Sequence, residues 1–210
     1  MSIDSLFSLY DDFGAADYIG EPVSQREHML QAASLAARDN QRPEVVLASL
    51  LHDVGHLLAL RDNRPSDSLG AHDHGTLGAQ AVTDAGLPHE VAALVRDHVD
   101  AKRYLVATDM RYHAQLSPSS VITLKAQGGP MSTDEADAFA KSDTFREGIR
   151  IRRYDEAAKL TDPDPPTLPL SHFKRIAQQL VEPQTHSPTY TQAWLADSGS
   201  SPARTPSPPY

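Results

Sequence analysis

The sequence predicts an all-α fold. Apolar residues recur at three- and four-residue spacing along several segments. Those segments start and stop at residues that cap helices. No stretch keeps up the strict polar–apolar alternation of a half-buried strand. A chain of 210 residues, 40% of them hydrophobic, suits one domain with a well-buried core. The expected division is a helical domain over 1–182 and a disordered Pro/Ser-rich tail over 183–210, where prolines, serines and threonines crowd together.

The elements follow in order. Residues 1–23, with Gly14, Gly20 and Pro22, predict a short helix and then a loop. Ser24 with Glu27 three residues on forms a capping box. The helix it starts carries His28, Ala32, Leu35 and Ala36 on one stripe and ends near Asn40. Pro43 opens the next helix in its first turn. That helix, through Val45, Val46, Leu47, Leu50 and Leu51, is apolar nearly all round and so buried. His52, Asp53, Gly55 and His56 stand at its end, and a loop with Asn63, Pro65 and Gly70 is expected after them. His74 heads a helix stopped by Gly86-Leu-Pro88, and a fourth helix is expected from about 88 to 102, with His98 on it. Further helices are expected after Ser117–Val121 up to Gly128-Gly129-Pro130, over 133–140, over 142–160 and over about 171–181.

Charge and composition exclude some classes. A formal net charge of −9 argues against a nucleic-acid-binding face, which needs clustered cations. A small anionic substrate remains compatible, because a few Lys and Arg can bind it locally. The chain has no cysteine, which excludes disulfides, thiolate zinc sites and Cys-ligated clusters, and fits a cytoplasmic setting. The acidic N-terminus lacks the basic region of a secretory signal. No apolar run approaches the ~20 residues that span a bilayer, so no membrane association is expected.

His52-Asp53 is the strongest chemical signal. An Asp at the end of a buried helix is costly unless something pairs with its charge, and a metal would. His28, His74, His98 and Asp155 complete a set of four imidazoles and two carboxylates. That number exceeds one tetrahedral structural site and suits two metals with a bridging carboxylate; imidazole and carboxylate without sulfur suit Fe, Mn or Zn. His72 competes with His74, and His74 is preferred because it directly heads its helix. His89, His113, His172 and His186 have no partner in this scheme and are expected to be solvated.

The order His28, His52-Asp53, Asp155 resembles the HD superfamily of metal-dependent hydrolases, and the added His74 and His98 are similar to its dinuclear members. Three further stretches, Tyr18-Ile-Gly-Glu21, Ala101-Lys-Arg-Tyr-Leu and Gln127-Gly-Gly-Pro-Met131, look like the PhnZ-type oxygenases of that superfamily. The resemblance covers about residues 15–180.

What the resemblance implies is an HD-domain helical bundle with a dinuclear site between its helices. It implies two iron ions, a mixed-valent Fe2+/Fe3+ pair, held by His28, His52, Asp53, His74, His98 and Asp155 with Asp53 bridging. Tyr18 would occupy the open iron position until substrate arrives, with Glu21 as its gating partner. His56, Lys102, Ser120 and Arg152 would hold the phosphonate. The implied reaction is O2-dependent cleavage of the carbon–phosphorus bond of a 1-hydroxy-2-(amino or trimethylammonio)ethylphosphonate, giving phosphate and glycine or glycine betaine. Spacing agrees with the cation assignments: Lys102 lies four residues after His98 and Arg152 three before Asp155, each on the ligand's helix face. Two other readings stand beside this one. An HD-type phosphohydrolase would use the same ligands without oxygen, and a helical scaffold with a structural metal would leave no coordination position open. Chemistry like that of myo-inositol oxygenase is disfavoured, because a neutral polyol has no use for these cations.

Overall fold

The computed structural model describes residues 1–18, 20–64, 73–164 and 166–181. Among them the chain forms eleven α-helices and no strand, with one isolated bridge between Asp17 and Ser24. The helices are α1 (Ile3–Asp12), α2 (Gln25–Arg38), α3 (Pro43–Leu51), α4 (Val54–Arg61), α5 (His74–Asp84) and α6 (His89–Thr108). They continue as α7 (Met110–Gln115), α8 (Pro118–Ala126), α9 (Thr133–Phe139), α10 (Phe145–Ala157) and α11 (Leu170–Val181). The all-α class is as expected. The expected tail over 183–210, His186, His72 and the loop residues Pro65 and Gly70 lie outside the described residues.

Local signals act as the sequence requires. The Ser24 hydroxyl accepts from the Glu27 N–H while the Glu27 carboxylate accepts from the Ser24 N–H at 2.7 Å, so α2 starts with a closed capping box. Ser132 and Glu135 repeat the device on α9. Pro43 and Pro118 sit in the first turns of α3 and α8, where a missing N–H costs nothing. Gly86 and Gly128 take φ of +76° and +96°, ending their segments in the left-handed region that favours glycine.

Three helices depart from the expectation. The loop expected after His56 is instead α4, which continues to Arg61 and buries Leu57 and Leu58. The chain bends 41° between α3 and α4, at His52-Asp53. α6 runs on to Thr108, and α7 follows it, a six-residue helix with only Tyr112 buried.

The central helices α2, α3, α5, α6 and α10 pack on one another, with α4 against α5 and α11 against α3. Their shared core includes Met29, Leu47, Leu50, Leu94 and Ile151, none of them solvent-accessible. Two smaller clusters lie beyond it. One joins Leu105 and Val106 of α6 to Tyr112, Leu116 and Leu124. The other joins Ala101, Met131 and Phe139, with Tyr104, Phe139 and Phe145 stacked edge to face around it. These clusters set α8 and the 128–131 turn against the end of α6, forming the outer wall of the site. No single helix among the described residues is long and apolar enough to cross a membrane; α3 and α4 together have the composition, but their residues form the core.

Candidate active site

The bend between α3 and α4 places the first two side chains. Asp53 stands at the N-cap position of α4, where an Asp normally accepts from the helix N–H groups, yet it makes no such bond. Its carboxylate turns inward instead and is almost fully buried. α2 brings His28 to it, α5 brings His74, α6 brings His98 and α10 brings Asp155. The six residues, scattered from 28 to 155, therefore converge in one buried cluster.

The cluster has two halves that share Asp53. Asp53 Oδ2 lies 3.3 Å from His52 Nε2 and 3.6 Å from His28 Nε2. Asp53 Oδ1 lies 3.4 Å from His98 Nε2 and 3.5 Å from His74 Nε2. Asp155 belongs to the first half, with Oδ1 3.5 Å from His28 Nε2 and Oδ2 3.9 Å from His52 Nε2. One carboxylate oxygen thus faces each pair of imidazoles, the arrangement of a bridging ligand.

The donor chemistry fits metal ions. His28 Nδ1 donates to the Ala158 carbonyl at 2.9 Å, His52 Nδ1 to the Ser49 carbonyl at 2.9 Å, and His98 Nδ1 to the Val95 carbonyl at 2.7 Å. These bonds fix the tautomer and aim each Nε2 lone pair into the cluster. There, His28 Nε2 meets His52 Nε2 at 3.0 Å, and His74 Nε2 meets His98 Nε2 at 3.1 Å. Two lone pairs so close repel unless a cation lies between them. In addition, Asp155 Oδ1 is buried with no hydrogen-bond partner. A cation in each half answers all three features.

The electrostatics agree. Burial opposes the charge on Asp53, but His52 outweighs it and holds the carboxyl well below its usual value. For Asp155 burial is likewise outweighed, chiefly by Arg152 and then by His52 and His28. Burial lowers His28 to about 4, whereas for His52 the Asp53 and Asp155 carboxylates overcome burial and raise it to about 9. Without a metal, a proton on His52 takes the metal's place between the paired nitrogens.

A narrow cavity of about 50 Å³ opens on this cluster and is bounded by Tyr18, Glu21, His56, Lys102, Ser120 and Arg152. Tyr18 stacks flat on His28, ring centroids 3.8 Å apart, and its burial beside Asp155 and Asp53 keeps the phenol protonated. Glu21 closes a tight turn through its N–H to the Tyr18 carbonyl at 2.8 Å. Gly20, at φ +67°, makes that turn possible, and a side chain there would run into Ser119. His56 stacks on His74 at 4.2 Å. Lys102 donates to the Thr123 hydroxyl at 2.9 Å and has no carboxylate partner among the described residues. Burial, with Arg152 nearby, brings its ammonium down to about 7. Arg152 is pinned by Asp155, Glu156 and the Tyr112 hydroxyl.

Four residues at this wall escaped the sequence reading. Thr123 and Tyr112 hold Lys102 and Arg152, while Glu156 and Lys159 bind each other at 3.0 Å beside Ser120. The spacing 152, 155, 156, 159 was the available signal, since these positions share a helix face. Of the remaining histidines, His89 and His113 are exposed. The expectation that His172 is solvated is corrected: it is half-buried, edge-on to Phe173, because α11 packs that side against the core.

Residues 26–141 match the HD domain family, and the chain belongs to it. Within that family it belongs to the PhnZ-type branch. Over 180 residues, 86% of this chain and 90% of the relative, it is 36% identical to the [1-hydroxy-2-(trimethylamino)ethyl]phosphonate dioxygenase (glycine-betaine-forming) of Leisingera caerulea. It is 35% identical to the hydroxymethylphosphonate dioxygenase of Gimesia maris over 159 residues, 75% of this chain and 78% of that one. It is also 32% identical over 187 residues to the uncharacterized protein L432 of Acanthamoeba polyphaga mimivirus, covering 89% and 84% of the two chains.

Proposed function

We propose that the protein is a diiron dioxygenase that uses O2 to cleave the carbon–phosphorus bond of a 1-hydroxyphosphonate, releasing phosphate and a carboxylic acid. The observation that carries this reading is the pairing of an Asp53-bridged double histidine cluster with a buried cation, Lys102, that no carboxylate among the described residues neutralises. The names of the two dioxygenase relatives support it. One iron would be held by His28, His52, Asp53 and Asp155, the other by Asp53, His74 and His98. The iron pair supplies O2 activation and one-electron chemistry that no side chain here offers. Atoms balance with one oxygen added to carbon and one to phosphorus, a four-electron oxidation matched by one O2.

The chain's own residues bind and orient. Lys102 meets the phosphonate charge directly, and the dry site strengthens that contact. Arg152 holds Asp155 in place and adds positive potential to the same wall. His56 and Ser120, which both line the cavity, offer hydrogen bonds to phosphonate oxygens. Tyr18, lying over His28, covers the cluster until substrate displaces it, and Glu21 fixes the turn that carries it. The helical domain over 1–182, a cytoplasmic setting, and a small phosphonate with O2 as the only partners belong to the same proposal.

The test is oxygen. Iron-loaded protein incubated with hydroxymethylphosphonate and with its trimethylammonioethyl counterpart should release phosphate in air and none under argon. Equal release under both conditions would reject oxidation in favour of hydrolysis. One tightly held zinc with no iron and no turnover would favour a structural metal.

A further inference from the structure

One wall of the cavity carries a charge cluster built around Lys159, just beyond the end of α10. Its ammonium reaches Glu156 at 3.0 Å, Ser117 and Ser120 at 3.1 Å each, and Glu21 at 3.3 Å. Glu21 also accepts from the Ser117 hydroxyl at 2.6 Å. Both partners are nearly removed from solvent, the Lys159 side chain 12% exposed and that of Glu21 11%. Such a pair sits in a low dielectric and is not a screened surface contact. Glu156 is matched on its other side by Arg152.

The two ends of a zwitterionic ligand therefore meet different charges. Among the described residues, Lys102 is the lining cation without a carboxylate partner and so the one left for an anionic group. For a positive group the cavity offers Glu21, whose charge Lys159 already satisfies. Aromatic faces do not replace it: among the described residues Tyr18 is the only lining aromatic besides histidine, and one of its faces is taken by His28.

We propose that Lys159 is a specificity-determining residue that competes with a cationic head group for Glu21, and so sets how strongly the site accepts ammonium-bearing phosphonates relative to uncharged ones. The inference rests on the phosphonate reading above. Discrimination of this kind comes from a built-in like charge, which disfavours one ligand without improving contacts to the other.

The test compares binding under argon of methylphosphonate and 2-(trimethylammonio)ethylphosphonate to the iron-loaded full chain. Neither probe carries the 1-hydroxyl, so neither is turned over. Lys159→Gln should raise the affinity ratio of the cationic over the uncharged probe about tenfold, equivalent to about 1.4 kcal/mol. Glu21→Gln should lower that ratio by a similar factor, and the double variant should return close to the wild-type ratio. Lys159→Arg should keep it. A ratio unmoved in Lys159→Gln, with iron content and helicity intact, overturns the proposal. If that variant does not fold, Glu21→Gln decides alone: an unchanged or increased ratio is fatal. Phosphate release from the 1-hydroxy compounds in air is measured separately, so a failure of the oxidation chemistry is not confused with a failure of head-group selection.

Discussion

Asp53 is the side chain on which the site depends most, because each of its oxygens faces a different pair of imidazoles. Asp53→Ala should therefore empty both halves, whereas His74→Ala should spare the half built on His28, His52 and Asp155. Iron analysis of the purified variants separates the two cases, and a single iron retained in Asp53→Ala would show that the carboxylate does not bridge. Lys102 predicts a pH dependence. Its ammonium titrates near 7, lowered by burial and by Arg152, so raising pH through 7 removes the charge that a phosphonate needs. Methylphosphonate should bind more weakly at pH 8 than at pH 6.5, and Lys102→Met should lose most of that slope while keeping its iron. At this scale the sequence disclosed the ligand types, since His and Asp in a buried apolar context are costly without a partner. It did not disclose Thr123 and Tyr112, whose roles come from contacts of α8 with α6 and of α7 with α10 that no local pattern encodes, whereas Glu156 and Lys159 carried a signal in their spacing from Arg152 and Asp155.

At the scale of elements, the helices with strong caps and a clear apolar stripe were legible: α2 from Ser24 and Glu27, α3 from Pro43, α9 from its acidic first turn. α4 was not, because His52, Asp53, Gly55 and His56 read as the end of α3, and the apolar stretch Leu57–Leu60 is too short to show a period of its own. Just past the bend, α4 packs closely on α5. A methyl group on Gly55 would come within 2.0 Å of the His74 carbonyl oxygen. Gly55→Ala must therefore push the start of α5 off α4 and carry His74 away from Asp53. Overpacking of this kind costs about 1–3 kcal/mol, or a fall in Tm of roughly 2–12 °C for a domain of this size. Iron content should fall with it. An iron-replete Gly55→Ala variant of unchanged Tm would mean that the helix contact is looser than this packing implies. α7 lacked a signal for a different reason: six residues that bury only Tyr112 have no periodicity to detect.

For the whole molecule, metal binding and stability are one equilibrium, since ions held by residues from four helices and the α3–α4 bend bind only the folded chain. The two buried histidines of the first half give this linkage a definite sign. His28 titrates near 4 in the metal-free fold, below its ordinary 6.5, so its contribution is complete above 6.5 and is lost as pH falls toward 4. His52 titrates near 9, so its contribution is complete below 6.5 and is lost as pH rises toward 9. The metal-free protein should therefore be most stable near pH 6.5. A metal requires both imidazoles neutral. At pH 7 His28 already is, but His52 must release about one proton to make way for the ion. Raising the pH from 6 to 8 thus weakens the metal-free fold and makes metal binding easier through the same His52 proton, so the loaded fold is spared the loss. The Tm gap between iron-loaded and chelator-treated protein should widen over that range, and calorimetric titration in buffers of different ionisation enthalpy should register the released proton. A gap that narrows with pH would mean that no proton occupies His52 in the metal-free state, and that the close approach of the paired nitrogens is relieved by some other rearrangement of the cluster.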